Sequence, residues 1–156
     1  MKLRHIALAL CAVATTATTA TTYAQQAPKP EDQIRYRQSI MNVMGRQFGM
    51  LSAMAKGDAP YNKDAAVKAA ALAETLSALP GPLFGPGLDK GAPTKAGTKI
   101  WSEPDKFKAA LEKMQGEMKK LPAAAGDAAT LKTAVGEIGK ACKGCHDDYR
   151  EKEFRN

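Results

Sequence analysis

The sequence predicts an all-α protein folded as an antiparallel, up-down-up-down four-helix bundle. Four stretches show the three-and-four spacing of apolar residues that is typical of helices packed along one seam. Proline or glycine separates these stretches, and no segment alternates as a strand does, so we expect no β-structure. Mostly short connections favour antiparallel neighbours. The predicted helices cover residues 31–56, 63–79, 104–121 and 127–152.

The first predicted helix has clear start and stop signals. Pro30 stands in its first turn, and Glu31 and Asp32 place negative charge at its positive end. It ends at the turn formed by residues 57–60. Its apolar seam has one charged member, Arg37. The seam consists of Ile34, Arg37, Met41, Met44, Phe48 and Leu51.

The third and fourth helices have candidate N-caps in Ser102 and Asp127. Each then carries an uninterrupted seam. In the third it is Phe107, Leu111, Met114, Met118 and Leu121, and in the fourth it is Leu131, Val135, Ile138, Cys142, Cys145 and Tyr149.

One long irregular segment, residues 80–102, separates the two halves of the predicted bundle and holds most of the glycine and proline. Only 6% of the 156 residues are aromatic, so the core is small for the length of the chain. Something other than side chains is therefore expected to fill it.

The N-terminus reads as a secretory signal peptide. Lys2 and Arg4 precede a short apolar run, which ends in small residues before Ala24. That run is too short for a membrane span, and Leu10 before Cys11 argues against a lipid-modified cysteine. We expect cleavage after Ala24, a periplasmic location and one domain over residues 25–156.

The charge balance does not point to nucleic acid. Removal of the signal peptide reduces the formal charge from +7 to +5, and the lysines are spread along the chain without a basic cluster interleaved with aromatics. A hydrated surface is the simpler explanation, and we expect neither a nucleic-acid nor a membrane partner.

The motif that carries chemistry is Cys142-Lys143-Gly144-Cys145-His146. Its two cysteines and one histidine are the only ones left after export, and helical spacing places them on adjacent turns. This C-x-x-C-H pattern is typical of covalent haem c, one per chain. Both thiols add to the porphyrin vinyl groups and the imidazole is an axial ligand of the iron.

Three other interpretations of the cysteine pair fit less well. A thioredoxin-like dithiol normally follows a strand, and none is predicted here. Structural zinc needs four ligands, whereas Cys142, Cys145 and His146 make three. A disulfide is possible in an exported protein, but one that spans three residues inside a helix constrains little of the chain.

Over residues 28–152 the chain resembles cytochrome c′, a class II c-type cytochrome and a well-known example of the up-down-up-down bundle. The segments that carry the resemblance are KPED (29–32), YRQ (36–38), LSALP (76–80), FGPG (84–87), IWS (100–102) and CKGCHDDYR (142–150). Together they are far more specific than the haem motif alone.

The resemblance implies roles for four further residues. Arg37 and Gln38 match family residues placed at a haem propionate, and Arg150 matches a basic residue beside the proximal histidine. Arg37 could instead extend to solvent, and Arg150 could be a solvated charge at a helix C-terminus. Met41 matches the position over the open face of the iron, which is usually occupied by an apolar, non-binding side chain.

The haem surroundings leave some questions open. Met41 could coordinate iron, as a methionine of the first helix does in low-spin relatives, or it could be core packing. Gly81 stands where many relatives have a bulky aromatic residue. Candidates for lining the porphyrin are Phe84, Trp101, Phe107 and Tyr149.

The expected function is that of a non-enzymatic haem protein. Five-coordinate iron held by His146 would bind NO or CO at a crowded face and cycle between ferric and ferrous states. The resemblance also implies a homodimer formed through an Ala-rich outer surface of the first two helices, and a periplasmic redox partner of unknown identity. The alternatives are a six-coordinate electron carrier ligated by His146 and Met41, and a haem-free structural bundle.

Overall fold

The computed structural model describes residues 28–155, so the predicted signal peptide, residues 1–24, lies outside the described residues. Four long helices form the bundle: α1 (Pro30–Lys56), α2 (Lys63–Ser77), α4 (Pro104–Met118) and α6 (Ala128–Tyr149). Each packs against two of the others, α1 on α2 and α6, and α4 on α2 and α6. The predicted four-helix bundle is confirmed. No helix in the described part of the chain is long and apolar enough to cross a membrane.

The caps and turns at the helix ends follow the sequence signals, except at the start of α4. Gly57 closes α1 in the left-handed conformation at φ 84°, and the Asp127 carboxylate accepts hydrogen bonds from the Ala129 and Thr130 amides at the start of α6. Ser102 was expected to cap the third helix, but it is the last residue of the short helix α3 (Lys99–Ser102). Glu103 occupies the cap position of α4 without a side-chain hydrogen bond.

Small elements subdivide the connections. A 3₁₀ turn covers Gly81–Phe84, and the short helix α5 (Leu121–Ala124) follows the end of α4 because Pro122 cannot continue the preceding helix. The irregular segment 80–102 thus contains short pieces of structure that its composition did not reveal.

The expectation of no β-structure was wrong. Strand β1 (Thr94–Ala96) pairs antiparallel with β2 (Arg150–Arg155), with an irregularity in the register. The fourth helix therefore ends at Tyr149 rather than at residue 152, and the chain continues directly as β2. The Gly97 amide donates to the Tyr149 carbonyl at 2.8 Å and fastens β1 to this junction.

The buried core follows the predicted seams. Leu51, Met118, Leu121, Leu131 and Ile138 are fully or almost fully buried. The contribution of α2 to the core consists of alanines, at positions 66, 69, 70 and 73. The expected Ala-rich outer surface of the first two helices was therefore wrong, because these small side chains face the inside.

Gly97 offers a test of the β1 junction. A Cβ at this position would lie 3.1 Å from the Tyr149 carbonyl oxygen and 3.1 Å from Glu151 Oε1. Because the carbonyl is backbone, we expect Gly97→Ala to lower the free energy of unfolding by about 1–3 kcal/mol, measured by urea denaturation followed by circular dichroism. Gly136→Ala is the control, because nothing lies within 4 Å of its added Cβ in α6. It should stabilise the protein by about 0.5–1 kcal/mol. Equal stability of the two variants would contradict the close approach.

Candidate haem site

A cavity of about 660 Å³ opens between α1, α4, α6 and the two strands. This volume lies within the roughly 300–1,000 Å³ that cofactor and ligand sites usually occupy. Its walls are mainly apolar. They include all seven residues expected at the site: Arg37, Gln38, Met41, Cys142, Cys145, His146 and Arg150.

The two cysteines project into this cavity from neighbouring turns of α6. Both are half-buried free thiols. Burial raises the pKa of Cys142, and burial followed by the charges of Cys142 and Asp148 raises that of Cys145. The thiols therefore stay protonated at neutral pH, and both are free at one wall of the cavity.

His146 lies one turn after Cys142 and is exposed to the cavity. Burial lowers the pKa of its imidazole, the positive charge of Arg150 lowers it further, and Asp147 opposes both. The neutral ring, which is the form that ligates a metal, is favoured over a wider pH range. Arg150 is not on the helix as expected. It begins β2 in extended conformation, and its amide donates to the His146 carbonyl.

Arg37 does not extend to solvent, because only 3% of it is exposed. Its Nη1 donates to the carbonyls of Leu83 at 2.7 Å and Leu88 at 3.1 Å, and its Nη2 donates to Thr94 Oγ1 at 3.2 Å. The guanidinium also stacks 4.6 Å from the Phe84 ring centroid. Burial, and secondarily the charge of Arg155, lowers the pKa of Arg37 to about 10, so it remains charged at neutral pH.

The other α1 residues complete one side of the cavity. Gln38 Nε2 donates to the Pro93 carbonyl at 2.8 Å. Met41 is half-buried and lies one turn after Arg37, facing the same cavity as His146. It is not the only sulfur there. The thioethers of Met44, Met114 and Met118 also line the wall, whereas Met50 and Met54 do not.

Aromatic rings form a second wall. Phe107 lies between Phe84 and Tyr149 with centroid distances of 4.8 and 5.2 Å, both in edge-on geometry. All three line the cavity. Trp101, the fourth candidate, does not. It packs behind Phe84 at 6.5 Å and donates from Nε1 to the Gly85 carbonyl.

Gly81 stands where many relatives have an aromatic residue, and the structure shows what surrounds this position. A Cβ at this position would lie 3.4 Å from Leu111 Cδ2. Leu111 is buried and lines the cavity. A side chain at position 81 would therefore pack against Leu111 of α4.

Some lining residues were not anticipated from the sequence. Asn42 on α1, Thr94 and Lys95 on β1, and Phe154 on β2 all border the cavity. Asn42 stands next to Met41, so helical spacing could have placed it at the rim. The strand residues carried no usable signal, because Thr94 and Lys95 lie in the segment predicted to be irregular and Phe154 lies beyond the predicted end of the fourth helix at residue 152.

Comparison with known proteins identifies the family. A family model described as Cytochrome C′ matches residues 32–150. Cytochrome c′ of Rubrivivax gelatinosus is 49% identical over 129 residues, which cover 81% of this chain and all of that protein. Its crystal structure superposes with a TM-score of 0.78, over 81% of this chain and all of the other at 48% identity.

The chain belongs to the cytochrome c′ family. A nitric oxide complex of a variant cytochrome c′ from Alcaligenes xylosoxidans is also similar, with 41% identity and a TM-score of 0.74 over 81% of this chain and all of that one.

Cytochromes c′ carry covalently bound haem c, and the residues present fit that group. One wall of the mainly apolar cavity carries two free thiols and the imidazole of His146, whose lowered pKa favours the neutral ring. The haem-free bundle was therefore the wrong alternative. Within residues 28–155, no three His, Cys, Asp or Glu side chains are arranged to hold a bare metal ion. The motif lies inside α6. A thioredoxin-like dithiol would instead follow a strand.

Substitution of Arg37 tests whether it organises this end of the cytochrome. Arg37→Met keeps much of the side-chain length but leaves the buried Leu83 carbonyl without its donor. We expect it to lower the free energy of unfolding by about 1–3 kcal/mol in urea denaturation. Gln38→Met is the control, because it removes one hydrogen bond to exposed Pro93 and should cost only about 0.5–1.5 kcal/mol. A loss no greater than that of the control would show that the guanidinium contacts contribute little.

Proposed function

We propose that this cytochrome c′ is a periplasmic protein with five-coordinate haem iron that binds NO and CO and exchanges single electrons. The observation that carries the proposal is the convergence of Cys142, Cys145 and His146 on one wall of a largely apolar cavity. The NO complex of the Alcaligenes xylosoxidans relative supports the choice of ligand.

In this proposal Cys142 and Cys145 would form the thioether links to the haem, and His146 would ligate its iron. Haem c, when bound, would supply an iron that changes oxidation state by one electron and binds a diatomic gas. Arg150 lies beside the imidazole and its charge favours the neutral ring. Arg37 and Gln38 lie at the β1 end of the cavity and are assigned to a haem propionate.

The side chains of α1 determine what can approach the open face. Met41, Met44 and Phe48 line the cavity along one stripe of this helix and present thioether and ring surfaces. These three side chains offer no hydrogen-bond donor. Of the polar residues of α1 that line the cavity, Arg37 and Gln38 donate to protein carbonyls and Asn42 is exposed. This surface therefore favours small gases that bind without a polar partner over stable O₂ binding. No role as an enzyme is proposed.

Export and assembly form part of the same proposal. Residues 1–24 are assigned as a cleaved signal peptide, so that haem attachment takes place in the periplasm. The exposed side chains of Tyr36, Val43 and Met50 recur at intervals of seven residues along α1 and form an apolar stripe. We assign this stripe to the contact with a second copy of the chain, because aligned apolar side chains on one helix face favour helix pairing.

Haem attachment is tested directly with Cys142→Ala/Cys145→Ala. We expect the wild-type protein, produced in a host competent in haem ligation, to give a peroxidase-stained band on a denaturing gel. The double variant should give none, because no thiol remains to form a thioether. Lys143→Ala is the matched control inside the motif, since this side chain is exposed, and it should stain like the wild type. Staining of the double variant would contradict covalent attachment at these residues.

The ferrous optical spectrum tests the coordination of the iron. Five-coordinate iron predicts a broad high-spin spectrum that changes when NO or CO is added. Met41→Leu should leave the gas-free spectrum unchanged, as should the control Met50→Leu, whose side chain does not line the cavity.

The competing function is a six-coordinate electron carrier ligated by His146 and Met41. It is favoured by one observation, the position of Met41 in the same cavity as His146. It predicts sharp, split visible bands in the wild type that Met41→Leu converts to the broad form. That result would replace gas binding by electron transfer as the main function.

A further inference from the structure

Two guanidinium groups lie on either side of β1. Arg37 reaches Thr94 Oγ1 with Nη2 at 3.2 Å, and Arg155 reaches the Ala96 carbonyl with Nε at 2.6 Å. Thr94 and Arg155 are also partners in the strand register. Each guanidinium lies over an aromatic ring, Arg37 at 4.6 Å from the Phe84 centroid and Arg155 at 5.5 Å from that of Trp101.

Neither positive charge has a counterion within residues 28–155, because no carboxylate there lies at ion-pair distance from either group, although ion pairs occur elsewhere on the surface. Arg155 Nη2 is also buried without a hydrogen-bond partner, alone among side-chain atoms in the described part of the chain. The charge of Arg155 contributes to the lowered pKa of Arg37, which places the two groups within electrostatic reach. Adjacent, partly buried cations are unfavourable unless an anion compensates them.

We propose that Arg37 and Arg155 form a two-cation site for a carboxylate of the haem, with Arg155 as the positioning residue behind β1. This inference rests on the proposed haem attachment, since the haem propionates are the carboxylates concerned. Arg37, Thr94, Lys95 and Ala96 line the cavity and Arg155 does not. Arg155 therefore acts on the carboxylate through its charge and through its hold on Ala96, while Arg37 faces it.

The second cation is contributed by the C-terminal strand of this chain. The match to the cytochrome c′ family model ends at residue 150, whereas Arg155 is the last residue of β2. A positive charge near the haem disfavours the more positive ferric state, because like charges repel in a medium of low dielectric constant. Arg155 should therefore raise the reduction potential of the haem.

The experiment compares Arg155→Gln and Arg155→Lys in the haem-loaded, full-length protein. The readouts are the midpoint potential, from spectroelectrochemical titration, and the propionate bending modes in the resonance Raman spectrum. Arg155→Gln should lower the potential and shift a propionate mode, whereas Arg155→Lys should keep both near the wild-type values. Both variants lose the guanidinium geometry over Trp101, so both should lower the melting temperature. The midpoint potential therefore distinguishes the effect of the positive charge of Arg155 from a general loss of stability.

Lys152→Gln is the matched control, because it removes one positive charge from the same strand at an exposed position, where solvent and salt screen it. A shift for Arg155→Gln no larger than that for Lys152→Gln would overturn the inference. An equal shift for Arg155→Lys and Arg155→Gln would also overturn it.

The remaining alternative is that a free anion, rather than a haem propionate, occupies the two-cation site. It predicts a potential that depends on phosphate concentration at constant ionic strength, with unchanged propionate modes, and this result would overturn the inference. Coloured protein whose potential is unchanged in Arg155→Gln would overturn this inference and leave the proposed function standing. Colourless wild-type protein would overturn the proposed function and this inference together.

Discussion

A buried guanidinium must satisfy its N–H groups, and the way Arg37 does so determines the shape of one end of this molecule. Its acceptors, Leu83, Leu88 and Thr94, all belong to the irregular segment between the two halves of the bundle. Hydrogen bonds to one charge therefore fix the path of that segment, together with the burial of its apolar side chains Leu83 and Ile100. The cavity wall formed by β1 depends on this arrangement.

The small side-chain core and the large cavity have the same structural cause. Alanines on the inner face of α2 allow close approach to α1 but bury little apolar area per residue. The larger side chains of α1, α4 and α6 diverge around the open volume instead of filling it. A large apolar ring system bound there completes the packing that the side chains leave unfinished. Cofactor binding and the stability of the bundle are therefore coupled.

Much of this arrangement was predictable because it is local. The seams of the long helices, the cap at Asp127 and the clustering of Cys142 and His146 all follow from spacing along one helix. The strands were not predictable. Thr94–Ala96 and Arg150–Arg155 are short and polar, and they pair across more than fifty residues, so no local pattern marks them. Because the fourth helix was predicted to run to residue 152 and no strand was expected, Phe154 and Arg155 could not be placed near the site.

α6 continues into β2 without an intervening loop, so the helix that carries His146 is linked directly to the strand pair. The carbonyl of His146 accepts a hydrogen bond from the amide of Arg150, and the carbonyl of Tyr149 accepts one from that of Gly97, so backbone hydrogen bonds join the last helical turn to both strands. The backbone of His146 is therefore held by the paired strands as well as by its own helix.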